Sequence, residues 1–298
     1  WTLVHPDQCG FIPRRATSNN IRRLYGIMRE SCKGNHSPLA VSLDFEKAFD
    51  MLGWPYLFEV LSAQGLGPEF LKWIQLLYGA PWARVKTGQQ ISRRFRIYRG
   101  TRQGCSLSPI IFALAMEPLA ALMRANGPRW GIQIEHTWHV ISLYADHVLI
   151  YLRDHRSSLP PIYDILDRFG DMTGLRINWG KSCLFPIHPG GLEQETEPQR
   201  DRLAWAPRSF RYLGVQIYHT DRDLLDGNHG RALTSVRQSI GFWKKLPLSP
   251  MGRTSIAKML VLPRFLYFFA ALPLLPSRSF FKELRGLMSD LVWGKARK

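Results

Sequence analysis

Apolar residues recur at helical spacing over residues 18–31, where Ile21, Leu24 and Met28 share one face, and this predicts an amphipathic helix. Residues 39–45 form instead a short apolar run suited to a buried strand. Helical periodicity returns over 55–65 and 68–78, each entered at a proline (Pro55, Pro68), which the first turn of a helix tolerates. Residues 82–99 alternate, with Arg84, Lys86, Arg93, Arg94 and Arg96 among them, and predict a basic hairpin pair. Pro109 opens an apolar helix running to about Met123. Two β-branched-rich runs, 140–143 and 148–152, flank Tyr144-Ala145-Asp146-His147, which predicts a hairpin of buried strands with a polar tip. Ile162, Ile165, Leu166 and Phe169 mark another amphipathic helix. The Pro/Gly/Glu-rich stretch from Pro186 to Arg202 reads as a linker. Phe210–Tyr218 reads as a strand, and helices follow, with Val236, Ile240 and Trp243 at helical spacing. Mixed elements first and helices last predict an α+β body with a C-terminal helical lobe.

Composition narrows the function. With 298 residues, 45% of them hydrophobic, the chain can bury a large core, in one large domain or two to three lobes. Lys and Arg number 40 against 23 Asp and Glu, a formal charge of +17. That surplus points to a polyanionic partner, nucleic acid first and an anionic membrane surface second. The longest apolar stretch, from Phe265 to Pro276, contains Pro273 and is too short to cross a bilayer, so no stable membrane association is expected. Cys9, Cys32, Cys105 and Cys183 are widely spaced with no C-x-x-C pair, which argues against a structural zinc site or a disulfide framework. A reduced, intracellular compartment is expected. No internal repeat is present, and the start at Trp1 suggests a piece of a longer protein.

Two carboxylates stand out. Asp44 ends a buried strand and Asp146 sits at the tip of a buried hairpin, where a carboxylate is costly unless solvated or bound to a cation. Brought together, they would suit hard divalent cations. Taken singly, such a strand-end carboxylate is more often a cap or turn residue.

The surrounding strings carry more. Asp44-Phe45-Glu46-Lys47-Ala48-Phe49-Asp50 resembles motif A of LINE-type (non-LTR) retrotransposon reverse transcriptases. Arg102-Gln103-Gly104-Cys105-Ser106-Leu107-Ser108-Pro109 is similar to their motif B, and Tyr144-Ala145-Asp146-His147 to motif C. Gly174-Leu175-Arg176-Ile177-Asn178 with Lys181-Ser182 resembles motif D, and Phe210-Arg211-Tyr212-Leu213-Gly214 the primer-grip motif E. Upstream, Gln8-Cys9-Gly10-Phe11-Ile12-Pro13 resembles a fingers motif. Downstream, Met251-Gly252-Arg253 through Pro263-Arg264-Phe265-Leu266-Tyr267 resembles the thumb. Seven short matches in the family's order cover nearly the whole chain.

The resemblance implies a right-hand polymerase fold, with fingers, a palm carrying an antiparallel sheet, and a helical thumb. Fingers would take 1–39 and 79–99, palm 40–78 and 100–220, and thumb 221–298. It implies an RNA-directed DNA polymerase working on an RNA template, a DNA primer and dNTPs, with two Mg²⁺ or Mn²⁺ ions. Asp44 and Asp146 would be the ligands, joined by the backbone carbonyl of Phe45. Lys181 would neutralise or protonate the leaving pyrophosphate. Arg15, Phe49, Gln103 and Gly104 would bind the nucleotide, and Tyr212, Leu213 and Gly214 would grip the primer. Asp50 reads as a helix or turn residue. Arg14 stands where the family carries glycine. Basic residues of 84–102, and Arg237, Lys244, Lys245, Arg253, Lys258 and Arg264, are candidates for phosphate contacts. Trp73, Trp82, Trp205 and Trp243 could stack bases, although large aromatics at helical spacing ordinarily belong to a core. Family habit implies translation in the cytoplasm and DNA synthesis in the nucleus.

One departure matters. His147 occupies the place of motif C's second Asp, removing a negative charge beside the metals. This implies a polymerase that is weakened or inactive, the alternative being a non-catalytic nucleic-acid-binding relic. Neither an endonuclease segment before the core nor a Cys/His knuckle after it is present in the sequence, in keeping with a decayed copy or a cut-out.

Overall fold

The computed structural model describes residues 3–31, 38–188 and 202–294. Two compact units divide the chain: residues 1–20 with 27–207, and residues 21–26 with 208–298. Most of the expected linker, and Cys32, lie outside the described residues. Helix α1 (Thr17–Ser31) matches the expected amphipathic pattern, and its middle turns group with the second unit.

The first unit is built on β1 (Leu39–Leu43), whose residues are all buried except half-buried Ser42. After it come α2 (Ala48–Met51), α3 (Trp54–Ala63) and α4 (Pro68–Tyr78), the latter two started by prolines in the first turn. The basic segment forms nested two-residue strand pairs: β2 (Trp82–Ala83) with β5 (Phe95–Arg96), and β3 (Lys86–Thr87) with β4 (Gln90–Ile91). Helix α5 (Ser108–Ala125) runs through the core, with Ile111 through Met116 all buried. Then follow α6 (Gly127–Trp130), the pair β6 (Ile132–Ile134) and β7 (Thr137–His139), and the hairpin β8 (Ile141–Tyr144) and β9 (His147–Leu152). Helix α7 (His155–Thr173) is N-capped by Asp154, whose side chain accepts the Arg156 N–H, and ends at Gly174 with φ 77°.

Two strands that local patterning did not reveal complete the sheet: β10 (Cys183–Pro186) and β11 (Ala204–Trp205). The order is β11-β10-β1-β9-β8, antiparallel except for β10 with β11. Strand β1 is central, which explains its apolar run: both faces and both edges are covered. The α+β class is as expected.

The second unit corrects one expectation. Phe210–Tyr218 is not a single strand but a hairpin, β12 (Ser209–Tyr212) and β13 (Val215–Tyr218). Leu213 (φ 45°) and Gly214 (φ 82°) make its turn. Two consecutive positive φ angles suit a tight hairpin turn, and a leucine at the first position hid it. Helices α8 (Asp221–Leu225), α9 (Arg231–Trp243), α10 (Pro250–Ile256), α11 (Leu262–Ala271) and α12 (Arg278–Trp293) follow, with π-helical segments at Asp226–Gly230 and Ala257–Val261. Their core includes Val236, Ile240, Val261, Phe265, Leu284 and Leu291. Two helical stretches, Ser108–Ala125 and Pro250–Ala271, are long and apolar enough to cross a membrane by length and composition. The first is the core helix of its unit. Counting the longest uninterrupted apolar run passes over both, because polar residues interrupt them.

Candidate metal centre and its surroundings

Register creates the site. Leu43 pairs with Val148, so the next step out along β1 and β9 brings Asp44 beside His147. Tyr144 pairs with His147, leaving Ala145-Asp146 as a two-residue turn. Asp44, Asp146 and His147 thereby each offer one ligand atom within 4.8 Å of one another. His147 Nδ1 lies 3.5 Å from Asp44 Oδ1, and Lys181 Nζ lies 3.8 Å from Asp44 Oδ2. Both carboxylates are half-buried, while the His147 and Lys181 side chains are largely exposed.

The backbone of Asp44 is held from one side by the 176–182 segment. Its N–H donates to Ser182 Oγ at 3.1 Å, and its carbonyl accepts the Asn178 N–H at 2.8 Å. Ser182 Oγ in turn donates to the Asn178 carbonyl. Sequence reasoning named Lys181 but missed a role for Ser182; the β1–β10 register, Ser42 opposite Cys183, places it there. Phe45 opposes Ile177 in an isolated antiparallel bridge, whose bonds come from the residues flanking them (Glu46 N–H to Arg176, Asn178 N–H to Asp44). In such a pair the central residue's own N–H and C=O point away from its partner, so the Phe45 carbonyl faces outward. Two carboxylates and a carbonyl are oxygen donors that fit a hard divalent cation. The His147 imidazole adds a nitrogen donor better matched to Mn²⁺ than to Mg²⁺.

The opposite side of the turn is held by the N-terminal segment. Gln8 bridges Leu143 in parallel, with Leu143 N–H donating to Asp7 O and Cys9 N–H to Leu143 O. Gln8 is 1% exposed, and its Oε1 accepts the N–H groups of Gly10 (2.8 Å) and Ala145 (3.0 Å). Ala145 has φ 55°, a left-handed conformation costing a non-glycine residue about 1 kcal/mol or more.

The nucleotide-binding candidates are placed as follows. Phe49 stacks on Phe112 at 4.4 Å between centroids and meets Phe11 edge-on, while Phe11 leans on Tyr144. Gln103 Nε2 donates to Asp50 Oδ1 at 3.1 Å, and both line a cavity of about 290 Å³ with Trp54, Tyr78, Arg99 and Gly100. Gly104 (φ 79°) is exposed in the turn leading to α5. Arg15 clasps its own segment: its guanidinium donates to the carbonyls of His5, Gln8 and Val4. Arg14 has φ 65°, which accounts for a glycine suiting that position. The primer-grip candidates Tyr212, Leu213 and Gly214 belong to the second unit, where the Tyr267 hydroxyl donates to the Leu213 carbonyl.

Around the basic hairpin, residues 70–116 contain eight Arg or Lys and no Asp or Glu. Arg94 lies 4.9 Å over the Trp82 ring and Arg96 5.4 Å over Tyr98, with both rings mostly exposed. Trp73 and Trp82 are 63% and 55% exposed, so the core reading fails for both, whereas Trp205 packs against the buried core. The electrostatics of the chain's thiols also differ. Backbone N–H groups of Leu107 and Ser108 hold the Cys105 thiol below its ordinary value, while burial pushes Cys183 up to about 11.

Residues 2–217 match the family described as reverse transcriptase (RNA-dependent DNA polymerase). The chain is 27% identical over 294 residues, 98% of its length, to the transposon TX1 uncharacterized 149 kDa protein of Xenopus laevis, covering 22% of that protein. It is 28% identical over 273 residues to the retrovirus-related Pol polyprotein from type-2 retrotransposable element R2DM of Drosophila melanogaster, covering 87% of this chain and 24% of that one. It thus spans about a quarter of the length of these curated relatives. A solved apo telomerase from Candida tropicalis, truncated from its C-terminal domain, shows 12% identity and a TM-score of 0.47, over 67% of this chain and 38% of that one.

Proposed function

Because the chain belongs to the reverse transcriptase (RNA-dependent DNA polymerase) family, with its relatives among non-LTR retrotransposon Pol proteins, we propose that it is the polymerase core of such an element, extending a DNA 3′ end on an RNA template. One observation carries this reading: Asp44 and Asp146 converge from adjacent antiparallel strands on one half-buried spot. Reverse transcriptases use divalent metal ions and bind nucleic-acid templates. Asp44, Asp146 and the Phe45 carbonyl would hold the ions here, Mg²⁺ or Mn²⁺. When bound, a pair of such ions activates the attacking hydroxyl and stabilises the leaving oxygen of an in-line displacement.

The chain's own groups do the rest. The backbone of Asp44 is fixed by Ser182 and Asn178, which anchors the position from which its carboxylate would reach the ions. Lys181, 3.8 Å from Asp44, would supply positive charge to a leaving pyrophosphate. Phe49, stacked on Phe112, offers a rigid floor for the incoming sugar, and Gln103, tethered to Asp50, sits by the same motif. Arg84, Lys86, Arg93, Arg94 and Arg96 supply phosphate contacts that carry affinity without sequence information.

His147 would lower the rate. It replaces a carboxylate's charge with an imidazole, and each ~1.4 kcal/mol of lost transition-state stabilisation costs about tenfold. A second reading, a nucleic-acid-binding relic, is favoured by His147 standing where the related motif has a carboxylate, which leaves one fewer anionic oxygen donor beside Asp44 and Asp146. Primer extension on an RNA template, in Mg²⁺ and in Mn²⁺, separates the two. Silence from the native chain, activity in His147→Asp and none in Asp146→Ala mark a decayed polymerase. Ready extension by the native chain marks a working one, and silence throughout leaves the binding reading.

A further inference from the structure

We infer that Gln8 is a positioning residue for the catalytic turn, and that the segment from Val4 to Arg15 is a strap whose task is to aim Asp146. This rests on the polymerase reading above. Gln8 touches no reacting group; it acts through the backbone of Ala145, the residue before Asp146.

The strap is fastened at every point where it could slip. Arg15 clasps the carbonyls of Val4, His5 and Gln8. Asp7, nearly buried, pairs with Arg124 at 3.3 Å and with His5 at 3.0 Å, and Arg124 also pairs with Glu117. Asn20 Nδ2 donates to the Leu143 carbonyl at 2.8 Å, the same oxygen that accepts the Cys9 N–H. The strap therefore adds a short parallel pairing to β8 immediately before the turn.

From that anchorage, two groups act on the turn. Gln8 Oε1 accepts the Ala145 N–H, fixing a peptide whose left-handed φ would otherwise relax. Gly10 presses on the same peptide so closely that a Cβ there would sit 2.3 Å from Ala145 N and 2.9 Å from Tyr144 C. The amide orientation of Gln8 is forced, because two N–H donors face Oε1 and a flipped amide would set N–H against N–H. Gln8 Nε2 is buried with no partner among the described residues. Ser182 and Asn178 hold Asp44 from one side of the sheet, and Gln8 and Gly10 hold the Asp146 turn from the other.

The test uses the full chain, in the His147→Asp background if the native chain is silent. Gln8→Met keeps the shape without the acceptor, Gln8→Asn shortens it, and Gln8→Glu keeps an acceptor for both N–H groups. Thermal melts select the variants that fold. Mn²⁺ binding is then read by electron paramagnetic resonance, and single-turnover extension by its rate and its dNTP half-saturation. We expect Gln8→Met and Gln8→Asn to bind Mn²⁺ about tenfold more weakly and to extend about tenfold or more slowly, with dNTP half-saturation within threefold. Gln8→Glu should retain Mn²⁺ binding within threefold. Unchanged Mn²⁺ affinity and rate in a folded Gln8→Met overturn the inference. So does equal damage in Gln8→Glu, and if only Gln8→Glu folds, loss of its Mn²⁺ binding does the same. Asp146→Ala is the control: if it leaves Mn²⁺ binding intact, the metal-site reading falls and this inference with it. If it abolishes binding while Gln8→Met does not, only this inference falls.

Discussion

His147 Nδ1 stands 3.5 Å from Asp44 Oδ1, across the open end of the β1–β9 pair. An imidazole thus occupies ground beside Asp44 where the related motif has a third carboxylate.

His147→Asp should therefore destabilise the metal-free chain. It crowds three carboxylates together, and for a half-exposed position the cost is about 0.5 kcal/mol, or roughly 1–2 °C in Tm. The same variant should gain more Tm than the native chain on adding Mn²⁺ or Mg²⁺, by mass action on a tighter site. Melts with and without EDTA read both effects; an equal metal response in the two proteins contradicts the assignment of this site.

The exposed Trp82 ring with Arg94 above it suits an unpaired base, which can stack on the aromatic while the guanidinium reaches phosphate. Trp82→Ala should weaken single-stranded RNA binding by about tenfold, since such stacking contributes roughly 1–3 kcal/mol. Arg94→Ala should lower the slope of log affinity against log salt by about 1. Fluorescence anisotropy at several salt concentrations measures both, and an unchanged slope would remove Arg94 from the phosphate contacts.

Thiol chemistry should separate Cys105 from Cys183. Cys105 is partly exposed and accepts backbone N–H groups at the start of α5, which favour its thiolate. Burial pushes Cys183 up to about 11. Iodoacetamide near pH 7.5 should modify Cys105 faster than Cys183, as peptide mass spectrometry can follow. Faster labelling of Cys183 than of Cys105 in the folded chain would contradict this ordering of the two thiols.

His229 gives the second unit a dependence on pH. Its ring is 2% exposed and boxed by Phe268, Phe269 and Phe280, and desolvation lowers its pKa from the ordinary value. Below about pH 6.5 the unfolded chain takes up a proton that the native ring resists. Stability present above that pH is thus lost as pH falls toward the lowered native value. Urea titrations at pH 7.5 and 5.5 should show a smaller acid loss in His229→Leu than in the native chain. Identical losses would place the acid sensitivity elsewhere.

Local pattern revealed what local pattern determines. The uninterrupted apolar run of β1, the proline-started helices α3 and α4, and the strand pair around Asp146 were all legible, because burial and period sit within a few residues. Asp44 and Asp146 were legible as carboxylates at the ends of buried strands. What stayed hidden depends on partners far along the chain. Strand β10 is four residues long and is a strand because β1 pairs with it. Ser182 matters through a bond to a residue 138 positions away, and Gln8 through one 137 positions away. The contacts of the Arg15 guanidinium with the carbonyls of Val4, His5 and Gln8 were likewise out of reach of local pattern. Leu213 concealed a turn because leucine seldom adopts its left-handed φ.

The parallel pairing of Gln8 with Leu143 has an effect beyond the catalytic turn. Strand β8 is the last in the five-stranded order, and its Ile-Ser-Leu-Tyr backbone would otherwise present unpaired donors and acceptors to any other extended chain. The opposite border, β11, is only two residues long and offers little to pair with. The strap is thus also a guard against strand-to-strand self-association: a copy shortened past Gly10 would carry a sticky border and should form oligomers or fibres before it loses its helices.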